Sequence, residues 1–407
     1  MPSSSRSPSP AARRAAAPVA VATAAALNLF HEITAAALTV ALLSLILVVA
    51  PFVANGEEAV CRRVPSQLQH FLRDRVATWL VKNAFTTVLT IISLLLTGHL
   101  RALLSHLCSR PSQYRYSSAR NGVLDFFPAT SDALLPAGAA GRPPLVIFVH
   151  GGTWSYSSRR LHRLVGVRLA KCGFSVAVLG YDRWPLADAA QQAAQVGQAV
   201  DWLLQDDHPQ RAELEFDRQR VVIFGHSSGG HIAMLWLLNE MVKPSVGDAL
   251  SSGCLAAFVT LGAPVDIQDV ERHERGRGVA DISALGSACG PAVGGFGSVS
   301  TNKLARKLAT PQGMRRLWRL GETQSALRPP RLCFLHGTAD KSIPCSAVAK
   351  LGRSLAALNL NTLRLIDLKR DIKLIPGGGH STDMVSLMLG ADCETVRTLV
   401  QLAAGSQ

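Results

Sequence analysis

One stretch constrains the fold more than any other. Residues 221–233 read Val-Val-Ile-Phe-Gly-His-Ser-Ser-Gly-Gly-His-Ile-Ala. A short apolar run enters Gly225-His226-Ser227-Ser228-Gly229, a GxSxG, and an apolar helical segment leaves it over 230–241. A buried strand, a GxSxG and a helix in that order describe a tight turn that lifts a serine hydroxyl above the end of a sheet. Gly225 and Gly229 are then small because strand and helix pass close together. The alternative is an ordinary serine in a glycine-rich turn.

The flanking pattern supports a sheet. Apolar runs at 145–149, 176–179, 221–224, 256–261 and 332–335 read as strands buried on both faces. Segments 160–172, 187–204, 230–241 and 345–358 read as helices between them. Strands alternating with helices predict an α/β fold with a mostly parallel sheet covered on both sides. Residues 267–329 are rich in Gly, Ser and Arg, break this rhythm, and read as an insertion or cap.

A serine hydroxyl needs a base to become a nucleophile and donors for the oxyanion that follows. His150-Gly151-Gly152-Thr153-Trp154 follows the 145–149 strand, and its glycines let backbone N–H groups face a substrate oxygen. The N–H of Ser228 would complete that hole. Past 332–335 comes His336-Gly337-Thr338-Ala339-Asp340, which makes Asp340 the favoured acid. Near the chain end, Gly377-Gly378-Gly379-His380 offers His380 as the base. Asp383 and Asp266 are rival acids.

Other groups receive plainer readings. The glycines at 377–379 lack the Lys-Ser/Thr of a phosphate loop, so no nucleotide site is expected. His226 and His231 have no carboxylate or cysteine at ligand spacing, so neither a metal nor another cofactor is called for. Trp154, Trp184, Trp236, Met314 and Trp318 are candidates for an apolar pocket or for core.

The N-terminal quarter differs. Residues 1–30 read as a disordered basic leader, and 31–110 as a membrane-anchoring region. Residues 35–54 are uncharged and apolar; as a helix they would span roughly 30 Å, the hydrocarbon thickness. A signal-peptide core or buried helix is the alternative. Residues 76–100 read as a second span or an interfacial helix. If both span, seven flanking arginines (Arg6, Arg13, Arg14, Arg101, Arg110, Arg115, Arg120) oppose four in the loop (Arg62, Arg63, Arg73, Arg75). The positive-inside rule then turns the C-terminal portion, 120–407, to the cytosol. Eight scattered cysteines without a CxxC read as free thiols, in agreement with that side.

Only 17% of residues are charged against 48% hydrophobic, which excludes a mostly disordered chain. The formal net charge is +14. No zinc-finger spacing or RNA-binding signature accompanies it, so nucleic acid is not the expected partner. The charge is read as flanking the membrane segments, plus a run (Lys303, Arg306, Lys307, Arg315, Arg316, Arg319) that would either meet anionic headgroups or form a solvated helix face.

Residues ~140–400 resemble the α/β-hydrolase superfamily, in its HGG-bearing esterase and lipase branch. Within it the chain is similar to the isoprenylcysteine α-carbonyl methylesterases. The similarity rests on the apolar N-terminal region, Gly151-Gly152-Thr153-Trp154, Tyr181-Asp182-Arg183-Trp184-Pro185, Asp340-Lys341-Ser342-Ile343-Pro344-Cys345 and His380-Ser381-Thr382-Asp383. The resemblance implies a membrane-associated serine esterase of the endoplasmic reticulum or Golgi, acting on the methyl ester of a C-terminal prenylcysteine. It implies Ser227, Asp340 and His380 as the triad, and substrate contacts at Gly151, Gly152, Thr153, His226 and Ser228. The rival readings are a general carboxylesterase, lipase or arylformamidase, and a non-catalytic membrane adaptor on the same scaffold.

Overall fold

The computed structural model describes residues 110–130, 141–205, 213–243, 254–278, 283–290, 294–308, 330–356 and 368–404, with positions 280, 310 and 312. The chain divides between Arg110 and Pro111, and the residues described here belong almost wholly to the C-terminal part. The leader and the apolar stretches 35–54 and 76–100 lie outside them. Among the described residues no helix is long and apolar enough to cross a membrane.

Eight strands form one sheet. They are β1 (Ser112–Arg115), β2 (Val123–Phe127), β3 (Pro144–Val149), β4 (Ser175–Leu179), β5 (Asp217–His226), β6 (Leu255–Leu261), β7 (Arg331–Gly337) and β8 (Ile372–Ile375). Their spatial order is β1-β2-β4-β3-β5-β6-β7-β8. The β1–β2 and β2–β4 pairs are antiparallel; the six strands from β4 to β8 are mutually parallel. The five strands read from apolar runs are all present. The sequence pattern missed β1, β2 and β8, so the parallel sheet expected carries an antiparallel edge.

The central strands are apolar throughout because both their faces are covered. Leu145, Ile147 and Val149 of β3 point into one core, with Val221 and Ile223 of β5. Val146, Phe148, Val222 and Phe224 point into the other. That is the period-2 alternation of a strand with no solvent face.

The first core is closed by helices α2 (Ala189–Leu204), α3 (Ser228–Val242), α6 (Thr301–Leu308) and α7 (Ser346–Ala356). The second is closed by α1 (Arg163–Lys171), α9 (Thr382–Leu389) and α10 (Glu394–Ala403). Helix α2 starts where Asp188 accepts from the N–H of Gln191 and the Gln191 side chain accepts from the N–H of Asp188. This reciprocal cap satisfies two donors that the helix itself cannot.

The remaining helices are α4 (Ile267–Gly276), α5 (Ala284–Cys289) and the short α8 (Leu368–Asp371). Helices α4, α5 and α6 all fall within 267–329. Their roles differ. Helix α6 is a crossover helix: Ala305 and Leu308 are buried in the first core, while Lys303, Arg306 and Lys307 face solvent. Its basic residues therefore occupy the outer face of an amphipathic helix; Arg315, Arg316 and Arg319 lie outside the described residues. Helix α4 sits at the functional cavity described below.

The antiparallel edge is anchored by one buried charge. Asp125 of β2 is fully enclosed and accepts from Arg159 Nε at 2.9 Å, Arg163 Nε at 2.7 Å and Gln113 Nε2 at 2.9 Å. A buried carboxylate is tolerated when its oxygens are matched in this way, and removing a partner typically costs about 3–5 kcal/mol. None of the six cysteines among the described residues is in a disulfide.

Candidate active site

Gly151, Ser227, Asp340 and His380 stand in the loops that follow the C-terminal ends of the parallel strands β3, β5, β7 and β8. That is where open α/β sheets place their ligand crevices, because each strand there hands over to a loop. Ser227 follows β5 directly and is the N-cap position of α3. Its backbone is at φ 52°, ψ −129°, a conformation L-residues avoid. The turn is held by the Ser227 N–H donating to the carbonyl of Leu261 at 2.9 Å. Gly229 is required by close approach: a Cβ there would lie 2.2 Å from the carbonyl oxygen of His150 and 2.3 Å from that of Val149.

Three side chains from three strand ends form one line. Ser227 Oγ donates to His380 Nε2 at 2.9 Å, and His380 Nδ1–H donates to Asp340 Oδ2 at 2.8 Å. Asp340 Oδ1 accepts from the N–H groups of Ser342 at 2.8 Å and Ile343 at 2.9 Å. A second histidine also braces it: His336 Nε2 lies 3.3 Å from Oδ2 and 3.0 Å from the carbonyl of Ile343. Burial on its own would raise the Asp340 pKa, but the hydrogen bonds from His336, His380 and Ile343 outweigh it. The carboxyl is held well below the usual carboxylate range, so it is charged at neutral pH. The loops bearing acid and base are knitted together, with Ala339 N–H donating to Gly378 O at 3.0 Å and Gly377 N–H to Thr338 Oγ1 at 2.9 Å.

The rival acids are engaged elsewhere. Asp383 accepts from Glu394 N–H, Thr395 N–H and Thr395 Oγ1, and so caps α10. Asp266 accepts from Gln268 and Asn302 at the start of α4.

Gly151, Gly152 and Thr153 form the turn after β3 and line the same cavity, of about 390 Å3, as His226, Ser227 and Ser228. The turn is strained: Thr153 and Trp154 have φ of 45° and 62°, and Gly152 is at 137°. It is braced from both sides. His150 Nδ1–H donates to Gly151 O at 2.8 Å, and the Tyr181 hydroxyl donates to His150 O at 2.7 Å. The His150 ring stacks between Tyr181 and His162. Burial, with His162 alongside, pushes the His150 pKa down to about 3, so the ring stays neutral. Trp154 Nε1–H donates to His231 Nδ1 at 3.1 Å, and His231 Nε2–H to Val299 O at 2.7 Å.

Of the aromatic candidates, Trp154 lines the cavity, Trp236 is core, and Trp184 packs on the core edge; Met314 and Trp318 lie outside the described residues. The sequence reading missed the wall contributed by α4. Val270, Glu274 and Arg277 face the cavity, and His273 Nε2 and Arg277 Nη1 both donate to Lys341 O at 2.9 and 3.0 Å. Their i, i+4, i+7 spacing signals only an amphipathic helix, not what it faces. His336 was detectable in principle, since it stands four residues before Asp340 at the same strand end.

The topology, the strained serine turn and the hydrogen-bonded Ser–His–Asp line together give the arrangement of an α/β-hydrolase fold. Comparison with known proteins gives the following similarities. The BD-FAE family model matches residues 131–289. A probable isoprenylcysteine alpha-carbonyl methylesterase of Arabidopsis thaliana is 26% identical over 252 residues, covering 61% of this chain and 54% of the relative. The chain thus spans about half the length of the plant relatives it matches. The kynurenine formamidase of Danio rerio is 27% identical over 128 residues, covering 31% of this chain and 41% of that one. Among solved structures, esterase B from Lactobacillus rhamnosis is 18% identical, with a TM-score of 0.47 over 78% of this chain and 97% of the esterase. The chain resembles the isoprenylcysteine methylesterases.

Proposed function

We propose that the protein is a serine hydrolase that cleaves carboxylic esters through an acyl-enzyme, with the methyl ester of a C-terminal prenylcysteine as its preferred substrate. The observation that carries the reading is the continuous line from Ser227 Oγ through His380 to Asp340, with Ser227 and His380 lining the cavity.

The chemistry follows from that line. His380 Nε2 takes the hydroxyl proton as Ser227 Oγ attacks the ester carbonyl. The charged Asp340 carboxylate holds the ring orientation and stabilises the imidazolium. Negative charge on the former carbonyl oxygen falls to N–H groups of the 151–153 turn and of Ser228, each such donor lowering the barrier by roughly 3–4 kcal/mol. His380 returns the proton to the leaving methoxide, methanol departs, and the acyl group stays on Ser227. Water, deprotonated by His380, then releases the carboxylic acid and restores the serine.

The similarity to the plant methylesterases supports the prenylcysteine substrate. The apolar stretches at 35–54 and 76–100 support attachment to an endomembrane with the catalytic part facing the cytosol. A tethered enzyme meets membrane-bound substrate at high effective concentration. The similarity to kynurenine formamidase favours a second reading, cleavage of an N-formyl arylamine by the same residues.

A fluorophosphonate probe is expected to label the wild type and not Ser227→Ala. Turnover of farnesylcysteine methyl ester is then compared with short acyl esters and with an N-formyl arylamine. Higher kcat/KM on the farnesylcysteine ester supports the preferred substrate; equal or higher kcat/KM on either rival overturns it. A folded wild type that takes no probe overturns the hydrolase reading altogether.

A further inference from the structure

Two histidines share the acid of the Ser–His–Asp line, and only one of them faces the serine. His336 stands near the end of β7, four residues before Asp340, and is fully enclosed. Its Nε2 lies 3.0 Å from the carbonyl oxygen of Ile343 and 3.3 Å from Asp340 Oδ2. A carbonyl and a charged carboxylate only accept, so Nε2 carries the proton. Its Nδ1 is buried and, among the described residues, has no hydrogen-bond partner. The polar contacts of the ring therefore all run through one N–H, which the steps above do not use.

That N–H meets the line at a sensitive atom. Oδ2 is also the oxygen that accepts from His380 Nδ1, at 2.8 Å. Oδ1 is occupied by the N–H groups of Ser342 and Ile343. The charge that Asp340 presents to His380 is thus the charge His336 leaves on Oδ2. A donor that stabilises a carboxylate leaves less of its charge to hold a neighbouring imidazolium. Burial alone would raise the Asp340 pKa, and among the contacts that reverse this the one from His336 is the largest.

We infer that His336 is a positioning residue acting through Asp340: its Nε2–H draws charge from Oδ2 and so sets the pH at which His380 is free to take the Ser227 proton. This rests on the serine-hydrolase reading above and adds the residue that fixes its working pH range.

Other titratable groups surround the pair. His226 beside the serine turn and His162 before α1 are kept neutral chiefly by burial, His226 with a pKa of about 3. From α4, Glu274 and Arg277 line the cavity and His273 donates to Lys341 O, next to Asp340 in its loop. Among the described residues only His336 and His380 bring a side-chain nitrogen to an Asp340 oxygen. Glu274 is the rival source of a pH dependence, because burial raises its pKa.

The test follows the rate of fluorophosphonate labelling of the full chain against pH, a readout independent of the natural substrate. The fall in rate on the acid side reports the base of the free enzyme. His336→Phe removes the N–H, leaves more charge on Oδ2 and makes His380 hold its proton to higher pH. The acid limb is expected to move up by about half a pH unit or more, with the plateau retained. His336→Gln, whose amide N–H takes the place of Nε2–H, is expected to return the limb to its wild-type position. A limb that stays in place in His336→Phe, whatever the plateau does, overturns the inference and leaves the hydrolase intact. Equal displacement in His336→Phe and His336→Gln also overturns it, since loss of the ring and not of the N–H is then the cause. So does a limb that moves in Glu274→Gln and not in His336→Phe. Should His336→Phe fail to fold, His336→Met is read in the same way. The imidazole nitrogen NMR spectrum of the wild type must in any case show the His336 proton on Nε2; a proton on Nδ1 overturns the inference. A folded wild type that takes no probe at any pH sinks the parent reading, and this one with it.

Discussion

Trp154 and His231 are joined by a buried hydrogen bond of 3.1 Å that ties the strained 151–154 turn to the helix following the serine. His231 passes the connection on to Val299, so one imidazole holds the turn, the helix and the segment before α6 in register. His231→Phe leaves an indole N–H and a carbonyl buried without partners, a loss of about 2–4 kcal/mol. The expected outcome in urea denaturation is a lower midpoint with an unchanged slope. In steady-state assays the same variant is expected to lose kcat more than it gains KM, because the turn it loosens is the one proposed to face the developing oxyanion. His231→Gln, able to donate and accept, should be affected less on both measures.

Asp340 is expected to act through its charge as well as its shape. Asp340→Asn keeps an oxygen for the Ser342 and Ile343 N–H groups but offers His380 no carboxylate. Turnover is expected to fall by roughly 10³–10⁴, with little change in stability. Asp383→Asn should do the reverse: it weakens the cap of α10 by about 1 kcal/mol and leaves turnover near wild type. A variant pair in which Asp383, and not Asp340, governs kcat would reassign the acid.

Stability is expected to decline on the acid side of neutrality. Burial lowers the pKa of His150 and His226 to about 3 and of His231 to about 4, against an ordinary value near 6.5. Unfolding releases these rings to bind protons, so the unfolded state holds more protons than the native state between those values. Stability is therefore full above about pH 6.5 and lost as pH falls toward 4, by up to about 1.4 kcal/mol per pH unit for each ring. Urea midpoints at pH 7.5 and 5.5 measure the slope, and His231→Gln should make it shallower. An equal midpoint at both pH values contradicts the assignment of these rings as buried and neutral.

Two glycines should respond in opposite ways to alanine. At Gly229 the new Cβ meets backbone oxygens that cannot yield. The expected loss is more than about 3 kcal/mol or failure to fold. Gly286 lies inside α5 with open space around it. There alanine should stabilise by about 0.5–1 kcal/mol. Thermal unfolding of the two variants reads both effects.

Much of the fold was legible because the parallel strands carry a strong signal. A strand buried on both faces must be apolar along its length, and 145–149 or 332–335 cannot easily be anything else. Strand β1 reads Ser-Gln-Tyr-Arg and lies at the exposed edge, so no hydrophobic pattern marks it. Strand β2 is interrupted by Asp125, whose burial depends on Arg159 and Arg163, more than thirty residues away. Helix α6 hid inside the apparent insertion because Thr301 and Asn302 are buried polar residues, bonded to Val265 and Asp266. The Ser227, Asp340 and His380 positions were legible because each follows a strand at a glycine-bearing turn. The α4 wall was not, since nothing local says which way an amphipathic helix will face.

The placement of α4 separates two kinds of information in the chain. It helps shape the cavity through Val270, Glu274 and Arg277, yet supplies no atom of the Ser–His–Asp line and sits outside the β5, β7 and β8 loops that do. The cavity-facing residues of this wall can thus vary separately from the proposed triad, provided the bonds from His273 and Arg277 to Lys341 O in the Asp340 loop are kept. The variable stretch has a hard downstream limit. At Thr301 the chain returns to the sheet as α6, and from there each substitution is answerable to the core that holds the serine turn in place.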